Sequence, residues 1–72
     1  MNSVRCNVGN FKGMEITVGM EVISEYGSLT TVRRIETIAR GGNEVVVISP
    51  NGYGAFYEME EFSNKFSPIL HL

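Results

Sequence analysis

The stretch from Glu44 to Met59 constrains the fold more than any other part of this chain. A β-branched run, Val45 to Ile48, meets an aromatic run, Tyr53 to Tyr57, across Pro50-Asn51-Gly52. Val, Ile, Phe and Tyr fill a pleated, half-buried surface, and Asn and Gly tolerate the positive φ that tight hairpin turns use. The stretch therefore reads as a β-hairpin with strands over Glu44 to Ser49 and Tyr53 to Glu58. Val45 and Val47 point one way while Val46 and Ile48 point the other, so both faces of the first strand are expected to be buried. The second face would need a cover: the bent sheet itself, the N-terminal segment or another subunit. On the second strand, Tyr53, Ala55, Tyr57 and Met59 alternate onto one face and Gly54, Phe56 and Glu58 onto the other. One aromatic set is core. The other, Phe56 with Tyr26 and Tyr53 near loops, is the candidate for a partner surface.

Upstream, Val4, Cys6 and Val8 alternate onto one face until Gly9-Asn10 interrupts them, so residues 1–13 are read as an N-terminal strand or a loosely held lead-in. Met14, Ile16 and Val18 alternate, Gly19 bends the chain, and Met20 and Val22 continue the pattern. Tyr26-Gly27-Ser28 is a turn. Leu29 to Ile38 is ambiguous, because Leu29, Val32, Ile35 and Ile38 sit at the three-residue spacing of a helix while six of the ten residues are β-branched. As a strand it needs a phase slip near Arg33-Arg34, a bulge or sharp bend; the helix stays open as the alternative. Arg40-Gly41-Gly42-Asn43 is a loop. Met59, Phe62 and Phe66 suit one or two helical turns, and Phe66 to Leu72, carrying Pro68, reads as a final edge strand.

Seventy-two residues make one domain, and a domain of this size buries only about 60% of the surface its unfolded chain exposes. A composition of 43% hydrophobic and 19% charged residues is globular rather than disordered. The longest apolar run, Val45 to Ile48, is far too short for the roughly 20 residues of a membrane span, and no secretory pattern opens the chain. The expectation is a cytoplasmic protein without a membrane segment. Its single cysteine, Cys6, reads as a small buried core residue.

No constellation of residues carries a recognisable chemistry. The chain has one histidine, His71, and no aspartate, so catalytic triads and zinc sites of usual spacing find no support. Glu58, Glu60 and Glu61 read as a solvated face at the start of a helical turn, where carboxylates are favourable. The glycines do not follow a phosphate-cradle spacing. No catalytic, cofactor or metal residues are assigned, and the chain is read as non-enzymatic. A net charge of −2 argues against a dominant phosphate-binding field. Arg33, Arg34 and Arg40 nevertheless concentrate half of the basic charge near the aromatic hairpin, the pattern by which single-strand binders hold phosphates and stack bases.

The order of short strands with turns at Tyr26 to Ser28, Arg40 to Asn43 and Pro50 to Gly52, then a helical turn before a last strand, resembles an SH3-like small barrel. The text Val18-Gly-Met-Glu-Val22, Tyr26-Gly27 and Thr31-Val-Arg-Arg-Ile35 is similar to openings in that superfamily, including KOW- and Tudor-like barrels, over residues 14–72. The resemblance implies a mainly β fold, a five- to six-stranded barrel with a short helical turn, and a docking role toward proteins or nucleic acids. It does not extend to proline-motif recognition, since no acidic loop lies between Glu25 and Leu29 and the chain has no Trp. The reading is an interaction module that docks onto a protein as an accessory subunit, regulator or inhibitor, compatible with a homodimer, with Tyr26, Arg33, Arg34, Tyr53 and Phe56 as contacts. A nucleic-acid-binding module using the arginine strand is the alternative.

Overall fold

A computed structural model describes residues 2–69. Among them the chain is mainly β, with β1 over Ser3–Arg5, β2 over Glu15–Thr17, β3 over Glu21–Ser24, β4 over Leu29–Thr37, β5 over Asn43–Ile48, β6 over Gly54–Glu58 and β7 over Phe66–Pro68. A 3-10 turn occupies Gly9–Phe11 and a helix, α1, runs over Met59–Lys65. β1 and β2 make a two-stranded sheet, and the other five strands make a second in the order β6-β5-β4-β3-β7. All pairs are antiparallel. The sheets are not closed: the larger one ends at β6 on one side and β7 on the other.

Leu29–Thr37 is a strand, and a slip in the β4–β5 register between Val32 and Arg34 explains its helix-like spacing. Val32 faces Val47 and Ile35 faces Val45, so two residues three apart both reach the core, which a regular strand of period two forbids. Gly19, with φ +94°, turns the chain between β2 and β3 as expected.

The β5–β6 hairpin is present, with a correction at its turn. Gly52 N–H donates to Ser49 O at 2.9 Å and Ser49 N–H donates to Tyr53 O at 2.9 Å, which is a three-residue turn. Such a turn needs a single left-handed residue, and Gly52 supplies it with φ +86°. Asn51 does not take a positive φ. Its Oδ1 instead accepts the Tyr53 N–H at 3.1 Å and a hydrogen bond from the Ser49 hydroxyl. Because Tyr53 belongs to the turn it leaves the inward set, and only Ala55, Tyr57 and Met59 pack on the core.

The N-terminal strand ends at Arg5, and the expected alternation of Val4, Cys6 and Val8 holds through Cys6. Cys6 is buried, but Val8 is 39% exposed rather than on the same buried face, because the chain turns through Gly9, φ +67°, into the 3-10 turn. The segment is nonetheless tied down. Val4 pairs with Ile16, Cys6 N–H donates to Met14 O at 2.8 Å, and Phe11 is fully buried.

Phe11, Phe62 and Phe66 stack in series with ring centroids 5.1 Å apart at each step, and Tyr57 meets Phe66 edge-on at 5.4 Å. This aromatic column joins three segments far apart in sequence: the 3-10 turn, α1 and β7. Ser63, fully buried, locks the join. Its Oγ donates to Val8 O at 2.7 Å and accepts the Phe11 N–H at 3.0 Å. The backbone of Gly9 passes so close that a Cβ there would stand 2.6 Å from Ser63 Oγ. α1 starts from Glu58 without a side-chain cap, and its amphipathic burial of Phe62 and Ser63 fixes it instead. β7 is an edge strand as expected, three residues long; His71, at the end of the predicted strand, lies outside the described residues.

Candidate interaction face

Cross-strand register assigns the paired residues of the larger sheet to a face. Val45, Val47, Ile35, Val32 and Val22 point inward and are buried. The outward rows are then Phe56–Val46–Arg34, Gly54–Ile48–Thr31 and Glu58–Glu44–Glu36, with Ile23 opposite Leu29 farther along. Val46 and Ile48 are only half-buried, so the expectation of two buried faces for β5 is corrected. The β-branched run reflects strand propensity on the outer side as much as burial.

Phe56 stands in the middle of β6 and is 69% exposed, beside Val46, in a pair where side chains approach closely. Ile48 and Leu29 extend the apolar surface across the sheet and line a shallow groove of about 420 Å³ with Pro50 and Thr31. Among the described residues Tyr26 and Tyr53 are the most exposed large hydrophobic residues, at 87% and 75%. They lie on the β3–β4 and β5–β6 turns, which the up-and-down strand order brings to the same end of the sheet.

The fold thus divides the five predicted contacts. Arg34 joins Phe56 in one row on the outer face, Tyr26 and Tyr53 crown its end, and Arg33 occupies the bulge, where it lines a hollow with Asn2, Val18 and Arg34. The arginines are not a free cationic strip. Arg34 Nε lies 3.3 Å from Glu36 Oε1, and Arg40 is ion-paired with Glu58. Sequence reasoning missed the partners of Phe56, namely Val46 and Ile48, and the row of three glutamates. The signal was there: hairpin register is fixed by the turn, and a turn centred on Asn51 pairs Val46 with Phe56 and Glu44 with Glu58.

On α1, Glu60 and Glu61 sit in the first turn and are exposed, and Lys65 Nζ lies 3.9 Å from Glu61. Among the described residues no three His, Cys, Asp or Glu side chains are grouped to hold a metal ion, and no helix is long and apolar enough to cross a membrane. Comparison with protein-family models, with curated proteins and with solved structures finds no match to this chain.

Proposed function

We propose that this chain is a non-enzymatic interaction module that docks onto a protein through the outer face of its five-stranded sheet, as an accessory subunit, regulator or inhibitor. The observation that carries the reading is Phe56, 69% exposed in mid-strand rather than in a flexible loop. A large aromatic side chain held by a sheet gives up little conformational freedom on binding, which is why such residues dominate interface energetics. Val46, Ile48 and Leu29 continue its apolar surface, while Tyr26 and Tyr53 offer amphipathic contacts at the end of the sheet.

An SH3-like barrel is part of this proposal. Its support is the four-strand meander β3 to β6, the bend at the β4 bulge, and a helical turn before β7 returns beside β3. What favours a protein partner over a nucleic acid is the charge around Phe56. Arg34 and Arg40 are each engaged by a glutamate, and Glu36, Glu44 and Glu58 border the apolar surface. A polyanion approaching Phe56 would meet these carboxylates, and of Arg33, Arg34 and Arg40 only the exposed Arg33 at the bulge is without an ion pair among the described residues.

The test is capture of partners from the host lysate by tagged protein, with and without nuclease, set beside a variant carrying Tyr53→Ala and Phe56→Ala. Both side chains are mostly solvent-exposed, so the variant folds with an unchanged thermal midpoint. Loss of a nuclease-resistant protein partner supports docking. Retention of every partner by the folded variant sinks it, and recovery of nucleic acid alone moves the arginines to first place.

A further inference from the structure

The two edges of the larger sheet are built differently. β7 is three residues long and carries Pro68, two features that blunt an edge against further pairing. β6 is five residues long, has no proline or lysine, and places Phe56 at its centre. Its free side can be read from the hairpin. The Ser49 N–H bonds Tyr53 O, and antiparallel bonding alternates from there. Ala55 and Tyr57 therefore bond to β5, while the N–H and C=O groups of Gly54 and Phe56 and the N–H of Glu58 point away from the sheet. α1, which leaves the end of β6, turns to the core, where Phe62 and Ser63 are buried.

We propose that β6 pairs antiparallel with β6 of a second copy of this chain, about a two-fold axis at Phe56. In this register Phe56 faces Phe56 of the other copy as a hydrogen-bonded pair, and Gly54 faces Glu58 in both directions. The two Phe56 residues exchange both of their backbone hydrogen bonds, and the Glu58 N–H of each copy meets the Gly54 C=O of the other. The glutamates, which direct opposition would set against each other, each lie across from a glycine. A slip by two residues sets Phe56 opposite Glu58 or Gly54 and loses the aromatic pair, and a slip by four sets Glu58 against Glu58 of the other copy, so aromatic pairing and charge together select the Phe56-centred register. Opposed residues share a face, so the two Phe56 rings adjoin on the outer side, with Val46 and then Arg34 flanking them on each copy. The dimer therefore doubles the face proposed above for docking, and the inference rests on that reading only in treating Phe56 as a contact residue. An interface of one strand pair is smaller than the roughly 1,200 Å² of stable complexes. The association is weak and depends on concentration.

The experiment is sedimentation velocity from micromolar to millimolar protein, joined to hydrogen exchange of assigned backbone amides over the same range. A monomer–dimer equilibrium is expected, with the Phe56 and Glu58 amides exchanging several-fold more slowly at the high end while the Ala55 and Tyr57 amides change little. Phe56→Lys, which opposes two ammonium groups, abolishes the dimer. Phe56→Pro does so by removing the outward donor without touching the bonds to β5. If one variant fails to fold, the other and the exchange profile still decide. A monomer throughout the range, or a dimer whose Phe56 amide exchanges equally fast at both ends, overturns the proposal. Either result leaves heterologous docking to the capture experiment with the Tyr53→Ala, Phe56→Ala variant.

Discussion

Replacing Ser63 by alanine removes one oxygen atom, and the structure makes that atom a two-way bridge between α1 and the N-terminal segment. The hydroxyl accepts the Phe11 N–H at 3.0 Å and donates to Val8 O at 2.7 Å, and the serine is fully buried. In the alanine variant the Phe11 N–H is left without a partner beneath the Phe11–Phe62 stack. An orphaned buried donor costs about 1–3 kcal/mol. Val8 O keeps the Cys6 thiol, which donates to it at 3.1 Å, and so loses less. The sum is about 2–3 kcal/mol, against a total of roughly 4–11 kcal/mol for a domain of this length. At about 4–8 °C per kcal/mol for so small a domain, the thermal midpoint falls by roughly 10–20 °C. Thermal unfolding followed by circular dichroism measures this, and urea titration shows the midpoint moving with the slope unchanged. Ser67→Ala is the control, since that side chain is exposed and takes only a 3.4 Å contact from Asn10. A Ser63→Ala midpoint within about 3 °C of the parent, less than 1 kcal/mol by the same scaling, would refute the reasoning.

Gly9→Ala attacks the same join through the backbone: a left-handed φ of +67° and a Cβ 2.6 Å from Ser63 Oγ make it at least as damaging. The measurement is the midpoint of Gly9→Ala with Ser63→Ala, where losses smaller than the sum of the singles are expected because both break one contact. Glu44→Gln is expected to stabilise by about 0.5 kcal/mol, since Glu44 stands directly between Glu36 and Glu58 in the ladder. The gain shrinks as salt is added, and a variant less stable than the parent at low salt counts against the register. Cys6, fully buried and bonded to Val8 O, is expected to react with a thiol reagent only through opening of the fold. Its labelling rate therefore rises in Ser63→Ala, and rapid labelling of the native parent contradicts the burial.

Much of the fold was legible because local chemistry and tertiary demand agree. The β-branched and aromatic runs around Gly52 make a hairpin in almost any setting, and of the helically spaced Met59, Phe62 and Phe66 the first two lie in α1 and the third opens β7 directly after it. In Leu29–Thr37 the two signals conflicted: spacing said helix and propensity said strand. The bulge between Val32 and Arg34 reconciles them, and only pairing with β5 creates it. The contact residues show the same limit. Sequence alternation separates Phe56 from Ala55 and Tyr57, but which set faces solvent depends on where the core lies.

What the sequence determined by itself is therefore a mainly β chain with its hairpin turn, its helical turn and an aromatic pair of faces on β6, because these follow from backbone freedom at glycine and from side-chain shape. What only the tertiary structure decided is that Phe11, Phe62 and Phe66 form one column, that Ser63 is a buried bridge, and that Phe56 is left outside beside Val46. Those are meetings between residues as many as 55 positions apart, the separation of Ser63 and Val8. No local preference encodes them; they arise when several half-apolar elements must bury their faces against one another at once.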